Sequence, residues 1–109
     1  MFALDKMASV HTLATHAAAK ATEDFLAKHG DRDACGFAWV TVYEKGSTKL
    51  GRALKAVGFK PAYGGGLQLW NPSGNWTQCI TAKEEGARAY ADVLTKFGIG
   101  NAFAGSKMD

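Results

Sequence analysis

A chain of 109 residues, 47% hydrophobic and 21% charged, has room for one domain and one core, and its balance is globular rather than disordered. No run approaches the roughly 18 apolar residues of a membrane span, and no charged start, apolar run and cleavage site mark a secretory leader. A net charge of +3 permits an anionic partner without demanding one.

Residues 1–29 lack Pro and Gly and are rich in Ala. Leu4, Met7, His11, Ala14, Ala18, Ala21 and Phe25 recur at helical spacing, which predicts an amphipathic helix with a stripe of mostly small side chains. Gly30 is its stop, and Asp31-Arg32-Asp33 is a polar loop. Phe37 to Tyr43 is aromatic and β-branched and reads as a central strand. Ser47 caps a second helix running to about Val57, with Gly58 as its stop and Leu50, Ala53, Leu54 and Val57 facing inward. Pro61 and Gly64-Gly65-Gly66 break regularity before a strand from Leu67 to Trp70. In Asn71-Pro72-Ser73-Gly74, Pro presets the backbone angle and Gly accepts a positive one, so this is a turn. Trp76 to Ile80 then reads as a returning strand that pairs antiparallel with the one before the turn. Thr81 and Glu84 match a capping box for a helix ending at Gly98. Its inward residues are Ala87, Tyr90, Ala91, Leu94 and Phe97, and Glu84–Arg88 and Asp92–Lys96 are acid-before-base pairs on its outside. Asn101 to Lys107 is the last strand.

Residues 35–109 therefore follow a β-α-β-β-α-β order. With right-handed crossovers this predicts an α+β ferredoxin-like plait, with two helices on one face of a four-stranded antiparallel sheet and an additional N-terminal helix over residues 1–30. Alternation sends Ala38, Val40, Val42, Leu67 and Leu69 toward the helices. It leaves Phe37, Trp39, Tyr43, Gln68 and Trp70, joined by Phe103, on the far face. So large an aromatic surface needs a cover. Three are open: the N-terminal helix folded across the sheet, a second copy of the chain, or single-stranded nucleic acid stacked on Trp39 and Trp70. The first two place Leu13 and Phe25 in a buried contact. The third meets an objection, because Trp76 to Ile80 lacks the basic-Gly-aromatic-Gly pattern of RNA-recognition sheets.

Chemistry-bearing motifs are sparse. His11 and His16 lie five apart, whereas two metal ligands on one helix face want four. Lys45-Gly46-Ser47-Thr48 opens a helix but lacks Walker spacing, and a simple cap accounts for it. The triple glycine precedes a strand and reads as a bulge or loop. Cys35 and Cys79 form no CxxC pair and read as reduced cysteines. No catalytic residue, metal site or cofactor motif is assigned. Charge is more suggestive: from Tyr43 to Pro61 the bases Lys45, Lys49, Arg52, Lys55 and Lys60 stand against the single acid Glu44. Lys49, Arg52 and Lys55 share one side of the second helix, either as a solvated face or as a docking patch for an acidic protein or nucleic acid.

The phrases Cys35-Gly36-Phe37-Ala38-Trp39-Val40, Tyr63-Gly64-Gly65-Gly66-Leu67-Gln68-Leu69-Trp70, Lys83-Glu84-Glu85-Gly86-Ala87 and Gly105-Ser106-Lys107-Met108-Asp109 resemble a group of small proteins encoded by tailed bacteriophages. The likeness covers roughly Cys35 to the C-terminus. It implies an origin and a setting, the cytoplasm of an infected bacterium, and supplies no catalytic residues. The usual ending there resembles Ser-Arg-Met-Asp, so Lys107 stands in place of an Arg and cannot reproduce its bidentate contacts. The expected function is a non-enzymatic protein that occupies a host or phage macromolecule through Lys49, Arg52 and Lys55. The alternative is a single-stranded RNA- or DNA-binding domain using Trp39 and Trp70.

Overall fold

The computed structural model describes residues 4–30, 34–77 and 79–108; Asp31-Arg32-Asp33 and Gln78 lie outside them. Seven elements follow in order: α1 (Leu4–His29), β1 (Gly36–Val42), α2 (Lys49–Ala56), β2 (Lys60–Pro61), β3 (Leu67–Trp70), α3 (Ile80–Lys96) and β4 (Ala102–Met108). The fold is α+β, with a four-stranded antiparallel sheet in the order β2-β3-β1-β4. β1 is central, as its composition predicts. Gly30, Gly58 and Gly98 all take positive φ just past the helices, the conformation that ends a helix at no steric cost.

Register sorts the two faces. Val40 lies opposite Leu69 and Ala104, and Val42 opposite Leu67 and Ala102. Val40, Val42, Leu67 and Ala102 join Ala53, Leu54, Phe59, Ala87, Tyr90, Leu94 and Ile99 in one core with α2 and α3, with Leu69 packed against it. Leu50 and Val57 pack at its margin, but Phe97 is 40% exposed because it sits past the end of α3, where the helical period no longer aims it inward.

The strand expected over 76–80 is absent among the described residues, and β3 does not pair across the turn at 71–74. A chain of local bonds satisfies this backbone instead. Asn71 Nδ2 donates to Asn75 O (3.0 Å), Thr77 N to Asn75 Oδ1 (2.9 Å) and Cys79 N to Thr77 Oγ1 (3.1 Å). Short polar side chains that bond nearby backbone compete with a sheet ladder. The outer partner of β3 is Lys60–Pro61, so Pro61 lies in a strand rather than breaking one. An edge strand is where a missing N–H is tolerated.

Two caps differ from expectation. Thr48, not Ser47, caps α2 by accepting from Gly51 N at 3.0 Å. Cys79 caps α3, its Sγ accepting from Ala82 N at 3.5 Å. The predicted capping box does not form: Glu84 accepts from Ser106 Oγ instead, and Arg88 pairs with Glu85. Ile80 starts the helix early because it is buried against Gly36, where a Cβ would come within 2.5 Å of Ile80 Cδ1.

α1 does not cross the open sheet face. Its main neighbours are α3 and α2. It runs antiparallel to α3, with His11 against Tyr90 and Thr22 against Ala82. Met7, Val10, Ala14, Ala18 and Thr22 are buried; at Gly86 a Cβ would stand 2.5 Å from Thr22 Oγ1 and 3.2 Å from Ala18 O. The small stripe thus serves close helix–helix approach. Leu13 is 54% exposed and Phe25 is half-buried, its ring 4.7 Å from His29. Neither is buried against the sheet, because the buried stripe continues through Ala18 to Thr22 and leaves Phe25 at its edge.

Candidate functional site

The open sheet face is the most distinctive surface. β1 contributes Phe37, Trp39 and Thr41, with Tyr43 just beyond; β3 contributes Gln68 and Trp70; β4 contributes Phe103, Gly105 and Lys107; and β2 contributes Lys60. Trp39 and Trp70 are direct cross-strand partners, their ring centroids 4.7 Å apart and tilted by 34°. Phe37 meets Trp70 edge-on at 6.1 Å. Tyr43 and Phe103 form a second aromatic pair at 5.8 Å. Phe37, Tyr43, Trp70 and Phe103 are exposed, and Trp39 is half-buried between its neighbours.

The face is preorganised. Trp70 Nε1 donates to Gln68 Oε1 (3.2 Å), and Gln68 Nε2 donates to Thr41 Oγ1 (3.3 Å). This relay orients the Trp70 indole and pairs the polar atoms beneath it. Trp39 lies across Gly105, where a Cβ would come within 2.6 Å of the indole nitrogen. Only glycine lets the ring lie that close, and the ring in turn shields the strand glycine. Sequence reading did not single out Gly105; a glycine inside a seven-residue strand is the signal that could have found it.

Electrostatics point one way. The four strands carry Lys60 and Lys107 and no acidic residue. Lys83 from α3 donates to Gly36 O at 3.1 Å and places its ammonium 5.6 Å from the Phe37 ring. Beyond Trp70, an open groove of ≈ 490 Å³ is lined by Gly58, Lys60, Pro61, Gln68, Leu69 and Trp70. It extends the aromatic face past the two-residue β2 toward the end of α2.

Lys49, Arg52 and Lys55 are all exposed on α2, and among the described residues none of them joins an ion pair. They form a second cationic surface, separate from the Trp39–Trp70 pair. No group of three or more His, Cys, Asp or Glu among the described residues could hold a metal ion. A part-buried polar contact, His11 Nδ1 to Tyr90 Oη at 2.6 Å, lies in the α1–α3 seam. Burial pushes the Tyr90 hydroxyl well above its ordinary range and His11 below its own, so a neutral pair is favoured there. That suits a structural contact rather than proton transfer. No helix among the described residues is long and apolar enough to cross a membrane.

Comparison of the chain with family models, curated proteins and solved structures found no match.

Proposed function

We propose that this chain is a small non-catalytic binding protein whose working surface is the open sheet face, and that its ligand is single-stranded nucleic acid. The observation that carries the reading is the Trp39–Trp70 pair on the two central strands, uncovered by α1 and bordered by Lys60, Lys107 and Lys83 with no acid in the sheet. Every base offers a π-face to an aromatic platform, and flanking cations meet the phosphates. We read the β-α-β-β-α-β order from β1 to β4, with β1 and β3 at the centre, as a ferredoxin-like plait. Sheets of that kind present their central strands to RNA. The chain lacks the basic-Gly-aromatic-Gly pattern, so the platform itself supplies the affinity and sequence preference is weak. The phrases that resemble those of small tailed-phage proteins suggest a setting in the cytoplasm of an infected bacterium, with host or phage nucleic acid as the target.

Fluorescence titration with mixed-sequence single-stranded RNA and DNA at low salt tests this. Binding is expected to fall steeply with added salt, and Trp39→Ala is expected to weaken it by about 1–3 kcal/mol. Absence of binding to both polymers, or binding unchanged by Trp39→Ala, rejects the reading.

A second reading rests on Lys49, Arg52 and Lys55, three exposed cations along one short helix with no acid in its first turn. They suit an acidic protein surface of the host or phage. Reversing the three charges should slow association with such a partner and change its salt dependence while leaving the fold intact. If only nucleic-acid binding is lost in that variant, the protein-partner reading fails.

A further inference from the structure

We propose that Cys35 and Cys79 form a reversible disulfide, a redox-responsive tie between the start of β1 and the start of α3. They are the only two cysteines in the chain, and both are free thiols. Far apart in sequence, they stand directly opposite one another in an isolated antiparallel bridge. Ile80 N donates to Ala34 O at 2.8 Å just outside them, which makes Cys35 and Cys79 a pair of the non-hydrogen-bonded kind. In such pairs the Cα atoms are about 4.5 Å apart and the side chains leave the same face at closest approach. Disulfides span Cα separations of roughly 4.4–6.8 Å, so the bond needs side-chain rotation and little backbone movement.

The two thiols differ in access. Cys35 is exposed, whereas Cys79 is fully buried at the cap of α3. This asymmetry orders the chemistry with a small disulfide, such as oxidised glutathione, as oxidant. The Cys35 thiolate attacks one sulfur of the small disulfide, forming a mixed disulfide and releasing one small thiolate. The Cys79 sulfur attacks Cys35 Sγ, its proton passing to the second small thiolate as that leaves. The protein disulfide remains. The protein loses two electrons and two protons, and the oxidant becomes two thiols. The closed bond would lock the corner where Lys83 holds the Gly36 carbonyl and faces Phe37. This inference stands whether or not the sheet binds nucleic acid.

The full chain is equilibrated in glutathione redox buffers, folded and in denaturant, quenched with acid, and read by intact mass, maleimide counting and peptide mapping. The expected result is loss of both thiols together, a mass lower by two hydrogens and a Cys35–Cys79 crosslink. That crosslink should persist at reducing ratios roughly tenfold or more beyond those tolerated by the denatured chain. Cys35→Ser, at an exposed position, should keep the fold and abolish the crosslink. Two alkylatable thiols in the folded protein under oxidising buffer, a persistent glutathione adduct on Cys35, linkage between two chains, or equal oxidation of folded and denatured chains would each overturn the proposal.

Discussion

The two faces of one sheet divide the side chains of this protein in an unusual way. Toward the helices the strands present Ala38, Val40, Val42, Leu67 and Ala102; toward solvent they present Phe37, Trp39, Trp70 and Phe103. Bulky aromatic residues bury the most apolar area and are the natural filling of a core. Here the strands give the core their smaller side chains, and Phe59 and Tyr90 from outside the sheet supply its rings, while α1 closes on α3 through alanines and Gly86. The large rings of the strands are therefore not spent on the core. We read this exposed apolar patch as the proposed binding surface, and the relay from Trp70 through Gln68 to Thr41 holds its side chains in place.

If that division is right, substitutions on the two faces separate stability from binding. The largest expected effect is Leu54→Ala in the covered layer, which removes a fully buried side chain and should cost about 2–5 kcal/mol in urea unfolding with little change in affinity of the surviving folded protein. Gly86→Ala should follow, at about 1–3 kcal/mol by the same measurement. The new methyl meets Thr22 and Ala18, and the roughly 1 kcal/mol of helix propensity gained over glycine offsets only part of this. Stability unchanged in that variant would mean that α1 and α3 are not packed as closely as described.

Tyr90→Phe removes the hydroxyl bonded to His11 and should cost about 1 kcal/mol. The same pair gives a pH dependence. Burial lowers the pKa of His11 below its ordinary 6.5 in the folded state, so the unfolded chain binds the proton more readily. Its contribution to stability is complete above pH 6.5 and is lost as pH falls from there through the folded-state value. Thermal unfolding of His11→Gln between about pH 7.5 and about 5.5 should show a shallower decline than the parent. The smallest stability effect belongs to the open face: Phe103→Ser should stay within about 0.5 kcal/mol. A cost as large as that of Leu54→Ala would break the comparison, since it would place Phe103 in the folding core.

Much of the sheet was legible because its residues obey a period of two without interference. β1, β3 and β4 run close to their expected bounds, and the residues assigned to each face of β1 and β3 hold their places. What failed did so where local polar groups or tertiary packing prevailed. Trp76 to Ile80 has strand-like composition, yet Asn71, Asn75 and Thr77 offer its backbone nearer partners. Thr81-x-x-Glu84 has the spacing of a cap, but Glu84 is within reach of Ser106 on β4, which no local pattern contains. The route of α1 was hidden for a similar reason. A stripe of alanines says that a neighbour comes close, and says nothing about whether that neighbour is a sheet or a helix. Of the candidate site, Trp39 and Trp70 were legible by alternation, whereas Gly105 and the polar relay needed cross-strand register.

The central position of β1 also governs the order in which the protein can assemble. Among the described elements β1 is the first strand in the chain, and one of its two neighbours, β4, is the last. Until β4 docks, β1 has an open edge, and Trp39 has no glycine floor to lie on. Contacts this distant in sequence form late and slowly, because the intervening chain must first be gathered in. The aromatic platform thus depends on a long-range pairing, and a chain without β4 would carry Trp39 and Trp70 but lack the glycine floor under Trp39.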